Sequence, residues 1–448
     1  EALEEDAPRL HPKGNLLAET ILNRGDVDAA IAASAHVAHH VFNTPPTEHA
    51  YLEPESALAV PEPDGSLTVY TGTQSIYDDH HGITGVLGLP KEKVKVVSGL
   101  VGGGFGGKED LSVQHHAALL AWISGRPVMQ TLTRQESLRV HPKRHAMEME
   151  FTVACDEEGR LTAMKASLLA DTGAYASLGG PVLQRACTHA AGPYRIANVS
   201  ILGRAIYTNN PPAGAFRGFG VTQSCFAMEC CLNDLAQQVG LSPWEFRFRN
   251  AIAPGDTLPN GQIADPDTGL RETLLAVKEA FESRPDAGIA CCMKNSGIGV
   301  GLSDVGRVRI RVEDGRAVVY TSAACIGQGL ASVLIQFVGE TTGLPLERIR
   351  VATPDTSTTP DGGTTTASRQ TVFNGEAARL AARDLKRDLD AQSGDPENAL
   401  EALEGRDYYR EYSGVTDPFG STKPNPVSHV AYGYATQVVL LDEAGRVE

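Results

Sequence analysis

Positive charge is in short supply in this chain: 39 Lys and Arg stand against 55 Asp and Glu, a formal net charge of -16 over 448 residues. Nonspecific nucleic-acid binding and binding to anionic membranes both draw on a basic surface, so neither is expected. A C-x-x-C pair is also missing. The eight cysteines, at 155, 187, 225, 230, 231, 291, 292 and 325, show no zinc or iron–sulfur spacing, which favours a cytoplasmic chain with reduced thiols and places any redox cluster elsewhere. No run of about 18 apolar residues free of charge and glycine occurs, so no transmembrane helix is expected. The N-terminal EALEEDAPRL is too acidic for a signal peptide. With 42% hydrophobic and 21% charged residues, the composition is that of a globular protein and excludes a disordered or fibrous one.

What is present is concentrated in Val96-Val-Ser-Gly-Leu-Val-Gly-Gly-Gly-Phe-Gly-Gly-Lys-Glu-Asp110, a strand followed by a glycine loop that opens a helix expected over 111–123. Glycine lets backbone approach a ligand closely, and a helix N-terminus offers free N–H groups to an anion. The spacing G-x-x-x-x-G-K matches a phosphate-binding Walker A loop, but Glu109 stands where that loop needs a Ser or Thr hydroxyl for magnesium. The nucleotide reading fails there.

Three stretches have the form strand, acidic glycine turn, strand: 147–155 into 161–170, 307–312 into 317–322, and 434–441 reaching Asp442–Gly445 near the C-terminus. The third leads us to expect a hairpin whose return strand lies beyond Glu448, and a first residue of Glu rather than Met suggests a longer reading frame. Helical patterns fall at 224–239, 270–282, 329–342 and 375–390, and Ser242-Pro-Trp-Glu245 reads as a capping box with proline at the first helical position. Strands and helices thus mix in an α+β class. Periodicity breaks at 283–290, which predicts a first domain over 1–283 and a second over 284–448, opened by 295–302. The stretch 393–407 is charged and 408–425 is rich in Pro, Gly and Ser, so both are expected as surface insertion or connection.

Four further loops have the same character: Thr73-Gln74, Ala215-Phe-Arg-Gly-Phe-Gly220, Ile326-Gly-Gln-Gly329 and Asp361–Arg369. One such loop is weak; several, without a Walker serine or a G-x-G-x-x-G, point to a cofactor larger than a simple nucleotide. Together VVSGLVGGGFGGKED, AFRGFGVTQ, CIGQG and TTTASRQTVFNG resemble the molybdopterin-binding large subunit of the xanthine dehydrogenase and aldehyde oxidoreductase family.

The resemblance implies two elongated mixed α/β molybdopterin-binding domains with the cofactor at their interface. It implies molybdopterin with molybdenum, the cytosine dinucleotide form being one variant, and no side-chain ligand to the metal. Gln74 is similar to the glutamine beside the metal's apical ligand. Gly104, Phe105 and Gly106 fall in the glycine loop; Phe216, Arg217, Gly218, Gln328, Thr366 and Ser368 resemble cofactor-loop residues, and Phe219 an aromatic flanking the substrate. Glu109 and Arg185 match the pair that orients a purine in xanthine dehydrogenases, which aldehyde-oxidising relatives generally lack. A carboxyl and a guanidinium suit a planar heterocycle carrying N–H and carbonyl groups.

The implied reaction is oxidative hydroxylation of a xanthine- or hypoxanthine-like ring, with aldehyde or nicotinate-like oxidation and a silent cofactor- or partner-binding role as alternatives. The implied partners are iron–sulfur and FAD domains or subunits, a further C-terminal segment carrying the catalytic glutamate, and an oligomeric assembly. The family's second ring-flanking aromatic has no counterpart in 297–302. Taken singly, Glu109 reads equally as a helix-start acid, and Arg185 reads more often as a structural ion-pair partner. The pairs His39-His40, His80-His81 and His115-His116 are expected as surface or packing residues, Cys230-Cys231 and Cys291-Cys292 as core fillers, and the basic run 139–144 as a solvated strand edge or the cover of an anionic cofactor tail.

Overall fold

The computed structural model describes residues 1–392 and 396–448, so the start of the charged stretch 393–407 lies outside the described residues. The mixed α/β class is as expected. Packing divides the chain differently from a single cut at 283/284. One compact unit gathers Glu1–Glu48, Pro142–Asn295 and Thr416–Glu448; the other gathers His49–His141 and Ser296–Val415.

The first unit holds a five-stranded sheet in the order Leu16–Arg24, Asn198–Tyr207, Leu161–Gly173, Ala146–Cys155, His36–Thr44. Ala146–Cys155 and Leu161–Gly173 form the expected antiparallel hairpin. Strand geometry alternates faces, and Met147, Met149, Phe151 and Val153 are buried while Glu148 and Glu150 are exposed. One pair, Leu161–Gly173 with Asn198–Tyr207, is parallel and needs a crossover, supplied by the helix Gly179–His189. Gly203 lets that helix lie close, because a Cβ there would stand 2.4 Å from Cys187 Sγ.

The helix Val221–Val239 begins earlier than its periodicity suggests, entered through Gly220 at φ +87°. Its Glu229 forms a buried ion pair with Arg247 Nε at 2.8 Å and accepts from Tyr194 Oη at 2.5 Å and Cys291 N at 2.9 Å. Ser242 caps the helix Pro243–Asn250 as expected, accepting from Glu245 N. The pattern 270–282 is two short helices, Leu270–Ala276 and Lys278–Glu282. Of the residues expected to open a second domain, Asn295 and Ser296 end the strand Gly288–Ser296, which pairs with Ala431–Val439, and the second unit resumes at Ser296. The third turn closes with an antiparallel bridge from Leu441 to Val447.

The second unit contains two sheets of one topology. The first runs Val94–Ser98, Leu67–Thr71, Ser56–Pro61, Val128–Thr131; the second runs Ile349–Val351, Arg316–Tyr320, Asp304–Glu313, Asp407–Gly414. In chain order each sheet is 3-2-1-4, with the second and third strands parallel and the other pairs antiparallel. The parallel crossovers are the helices Ile76–Leu87 and Leu330–Thr342. Both helices end on a left-handed glycine, Gly88 and Gly343, and both continue through a short 3-10 turn into the third strand. Gly88-Leu-Pro-Lys-Glu-Lys-Val94 and Gly343-Leu-Pro-Leu-Glu-Arg-Ile349 carry the same punctuation, an internal repeat legible in the sequence.

Several expectations need correction. The helix after the glycine loop is Gln114–Ser124, not 111–123. Gln114 sets its start: its Oε1 accepts from Ser112 N at 2.8 Å and Val113 N at 3.0 Å, so the preceding residues are held in turns. The stretch 408–425 is not all connection, since Asp407–Gly414 pairs with Asp304–Glu313. The basic run 139–144 is a strand edge only at Lys143, which forms a parallel bridge with Ala213. Arg134–Val140 is a helix begun by a capping box between Thr133 and Glu136, and His141 and His145 are buried. His39 and His40 lie exposed on a strand, whereas His80 is buried with Nε2 beside the carbonyls of Lys91 and Val94. Cys231 and Cys291 are buried, but Cys230 is half-buried and Cys292 exposed, so core filling describes one member of each pair.

Candidate active site

In the second unit, Gln74 is the junction. It follows the second strand of the first sheet and is buried. Its side-chain Oε1 accepts from Gly106 N at 2.9 Å and Lys108 N at 3.3 Å, while Nε2 donates to Thr365 O at 2.7 Å and Glu109 Oε1 at 3.3 Å. Its backbone N–H donates to Lys108 O and its carbonyl accepts from Thr365 N, each at 2.9 Å. One residue therefore joins the glycine loop to the loop 361–369. Thr365 Oγ1 extends the joint to a third loop by donating to Ala324 O at 2.9 Å.

The glycines of the first loop are needed partly by neighbouring protein groups. A Cβ on Gly104 would meet Gln74 Oε1 at 2.6 Å, and one on Gly107 would meet His141 Nε2 at 2.5 Å. Gly103 and Gly106 have φ of +96° and +103°, and Phe105 between them is held at +58° with its ring partly in solvent. Lys108 is buried and its Nζ pairs with Glu53 Oε1 at 2.8 Å.

Glu109 does not sit in the first turn of a helix; four residues separate it from Gln114. It is half-buried by surface, yet its carboxyl is packed round by protein, and burial pushes its pKa up to about 8. Asp110 and Asp78 act in the same direction, while hydrogen bonds from the Thr366 hydroxyl and Gln74 oppose it. Near neutral pH the group is therefore largely a carboxylic acid, able to donate one hydrogen bond and accept others.

Thr366 thus lies against Glu109, and Ser368 is exposed. Ala367 and Ser368 are both in left-handed backbone, at φ +46° and +53°. Their loop is fastened by Arg369, which is buried: Nε donates to Asp304 Oδ1 at 2.6 Å, Nη1 to Gly362 O at 2.7 Å and Nη2 to Val305 O at 2.7 Å. Gln328 is exposed and turned onto its own loop, with Oε1 accepting from Ile326 N at 2.7 Å and Nε2 donating to Ala324 O at 3.2 Å.

In the first unit, Arg185 rides on the crossover helix, almost fully buried, and burial lowers its pKa to about 10. The loop of Phe216, Arg217, Gly218 and Phe219 packs against that helix through Gly220, where a Cβ would stand 2.3 Å from Val182 O. Phe219 is at φ +50°. Arg144 lies 3.8 Å over the Phe216 ring and donates to Arg217 O and Thr222 Oγ1, both at 2.9 Å. Glu109 and Arg185 fall in different units.

Reading the sequence alone missed Arg369, Asp304 and Thr365 as the fastening of a loop, and Lys294 altogether. No spacing signal marks them, because their partners are distant in the chain. Four loop residues other than glycine, Phe105, Phe219, Ala367 and Ser368, are held in left-handed backbone, which costs on the order of 1–3 kcal/mol each and persists where surroundings enforce it. Strained backbone in these loops fits the cradle of a bulky anionic cofactor.

Two family models describing a molybdopterin cofactor-binding domain match the chain, over residues 10–251 and 271–410. Similarity extends to a probable xanthine dehydrogenase subunit of Bacillus subtilis, 38% identical over 83% of this chain and 51% of that protein. It extends also to a nicotinate dehydrogenase large molybdopterin subunit of Eubacterium barkeri, 41% identical over 62% of this chain and 65% of that protein. Among solved structures, the aldehyde oxidoreductase of Desulfovibrio gigas matches with a TM-score of 0.89 at 26% identity, covering 100% of this chain and 52% of that one. The chain belongs to the molybdopterin-binding large-subunit family of xanthine dehydrogenases and aldehyde oxidoreductases. It spans about half to two thirds of the length of these relatives.

Proposed function

We propose that this chain is part of a molybdenum hydroxylase that oxidises a purine of the xanthine or hypoxanthine type, or a closely related N-heterocycle. The observation that carries the reading is Glu109: a carboxyl kept protonated near neutral pH, fixed by Gln74 and Thr366 at the end of the glycine loop. Such a group donates a hydrogen bond to a ring nitrogen, which an aldehyde lacks. When bound, the molybdenum centre supplies the oxygen transferred to an electron-poor ring carbon and receives the substrate's electrons.

The residues of this chain bind and orient. Gln74 and the loops at 102–107 and 361–369 hold the cofactor side of the site, with Phe105, Gln328, Thr366 and Ser368 facing the anionic part of molybdopterin or its cytosine dinucleotide form. Arg185 stabilises charge developing on a substrate oxygen, Phe219 flanks the ring, and Phe216, Arg217 and Gly218 complete the cofactor loop. The general base is a glutamate outside this chain, and electrons leave to iron–sulfur and FAD domains or subunits of a cytoplasmic oligomer. The linear division into 1–283 and 284–448 stays with this proposal as an account of how the two cofactor-binding parts follow one another in the chain. The nicotinate dehydrogenase relative favours a second reading, a carboxylated pyridine as substrate.

The test is turnover of xanthine and of an aldehyde by the full enzyme carrying metal and pterin, with Glu109→Val and Arg185→Met. Both variants are expected to lose purine turnover by at least about 100-fold, the loss of one hydrogen-bonded contact to the substrate in the transition state, while aldehyde turnover changes little. Equal losses on both substrates would sink the assigned roles, and a fully loaded enzyme that oxidises no heterocycle would sink the reading.

A further inference from the structure

Around the crossover helix the first unit brings four basic side chains together from three segments. Arg185 and His189 come from the helix, Lys294 from the strand Gly288–Ser296, and His429 from just before the strand Ala431–Val439. His189 and His429 are buried, with ring centroids 5.5 Å apart, and Tyr432 lies 5.8 and 5.4 Å from them. Lys294 is half-buried.

One hydrogen bond fixes the tautomer of His189. His189 Nδ1 is 3.1 Å from Arg185 O, which can only accept, so Nδ1 carries the proton and Nε2 is bare. His429 Nδ1 lies 2.9 Å from Tyr432 Oη and 3.0 Å from Ser428 Oγ, two hydroxyls that can each donate or accept, and Asn260 Nδ2 donates to Tyr432 Oη at 2.9 Å. Neither Nε2 has a hydrogen-bond partner among the described residues.

Burial, and then the neighbouring cations, depress both histidines, His429 to about 2, so they are neutral at physiological pH. The positive charge here belongs to Arg185 and Lys294. Lys294 Nζ donates to Asn295 Oδ1 at 2.5 Å and makes no ion pair among the described residues. Burial and Arg185 together lower its pKa to about 7, and no carboxylate acts on it in return. An ammonium taken from water without a counter-charge is costly, and an incoming anion offsets that cost.

We propose that Lys294 is a specificity-determining residue: beside Arg185 it receives a negatively charged oxygen group on the heterocyclic substrate, a carboxylate or an ionised ring oxygen. This rests on the heterocycle reading above. It selects anionic rings over neutral ones of the same shape, and the selection weakens as pH rises through the Lys294 pKa and the free ammonium is lost. His189 and Tyr432, the other titratable groups facing Lys294 and Arg185, do not change charge in that range.

The experiment is equilibrium dialysis of the full metal-loaded enzyme with nicotinate against nicotinamide, and with urate against hypoxanthine, at about pH 6.5 and 8.5. The wild type is expected to hold at least one anion about tenfold tighter than its neutral partner at the lower pH, the size of one charge-assisted hydrogen bond. That preference should shrink at the higher pH, fall to about twofold or less in Lys294→Met, and survive in Lys294→Arg. A response in the nicotinate pair identifies a carboxylate; a response in the urate pair identifies a ring oxygen. Equal binding of anion and neutral ligand in both pairs by the wild type, or a Lys294→Met variant that weakens both members of a pair alike, overturns the proposal. Hypoxanthine oxidised without any charge preference defeats Lys294's role and leaves the heterocycle reading standing. Charge preference without oxidation of any ring does the reverse.

Discussion

The two sheets of the second unit place a glutamine at the same point, after the second strand and before the crossover helix, and use it in opposite ways. Gln74 is buried and all of its side-chain hydrogen-bonding capacity is committed to other loops; Gln328 is exposed and caps only its own. The loops before the second helices differ in the same sense. Lys108 in the first sheet pairs with a part-exposed Glu53, whereas Arg369 in the second pairs with a buried Asp304 and three carbonyls. One topology thus supplies a rigid joint in one copy and an accessible rim in the other.

The contrast can be broken most forcefully at Arg369. Removing one partner of a buried, hydrogen-bonded ion pair typically costs about 3–5 kcal/mol, so Arg369→Met should lower the urea-unfolding free energy by about that much. Asp304→Asn should be comparably severe. Gln74→Ala leaves two buried N–H groups and a carbonyl without their partner, and about 2–3 kcal/mol is expected by the same measurement, together with lower pterin content after purification. Lys108→Met leaves Glu53 able to turn to water, so about 1 kcal/mol is expected. Gln328→Ala should cost less than about 0.5 kcal/mol while still reducing pterin retention. A Gln328 loss as large as that of Gln74 would erase the distinction between joint and rim.

Glu109 sharpens the same contrast through pH. Its folded pKa, about 8, is above the value of 4.5 for a free glutamate, so between those values the folded chain keeps a proton that the unfolded chain releases. Stability contributed by this group therefore falls as pH rises from about 4.5 to about 8, and is level outside that window. Thermal melts should show Glu109→Gln gaining on the wild type at pH 8 relative to pH 5. A gap that does not change with pH would mean the carboxyl ionises normally.

Much of this architecture was legible in the amino-acid order. Hydrophobic alternation and acidic glycine turns marked the strands 146–155, 161–173 and 304–313 to within a few residues, because those signals are local. The cofactor loops were legible as clusters of glycine and small hydroxyls. What escaped was non-local. Gln114 reaching back to Ser112 and Val113 delays its helix; Thr133 and Glu136 begin a capped helix that ends at Val140, inside the basic run; Arg369 finds Asp304 across 65 residues. The repeated Gly-Leu-Pro turns were in plain view, but without the sheet order they read as ordinary helix ends.

The Gln74 joint has an assembly consequence. Its four side-chain bonds require the glycine loop of one sheet and the threonine-rich loop of the other to be in place at once. Neither sheet alone can hold Gln74 in its bound form, so the joint registers a coincidence: it closes only after both copies of the topology have folded. A cofactor that depends on it would enter late, onto a nearly finished chain, and a defect in either sheet would be felt as failure to load.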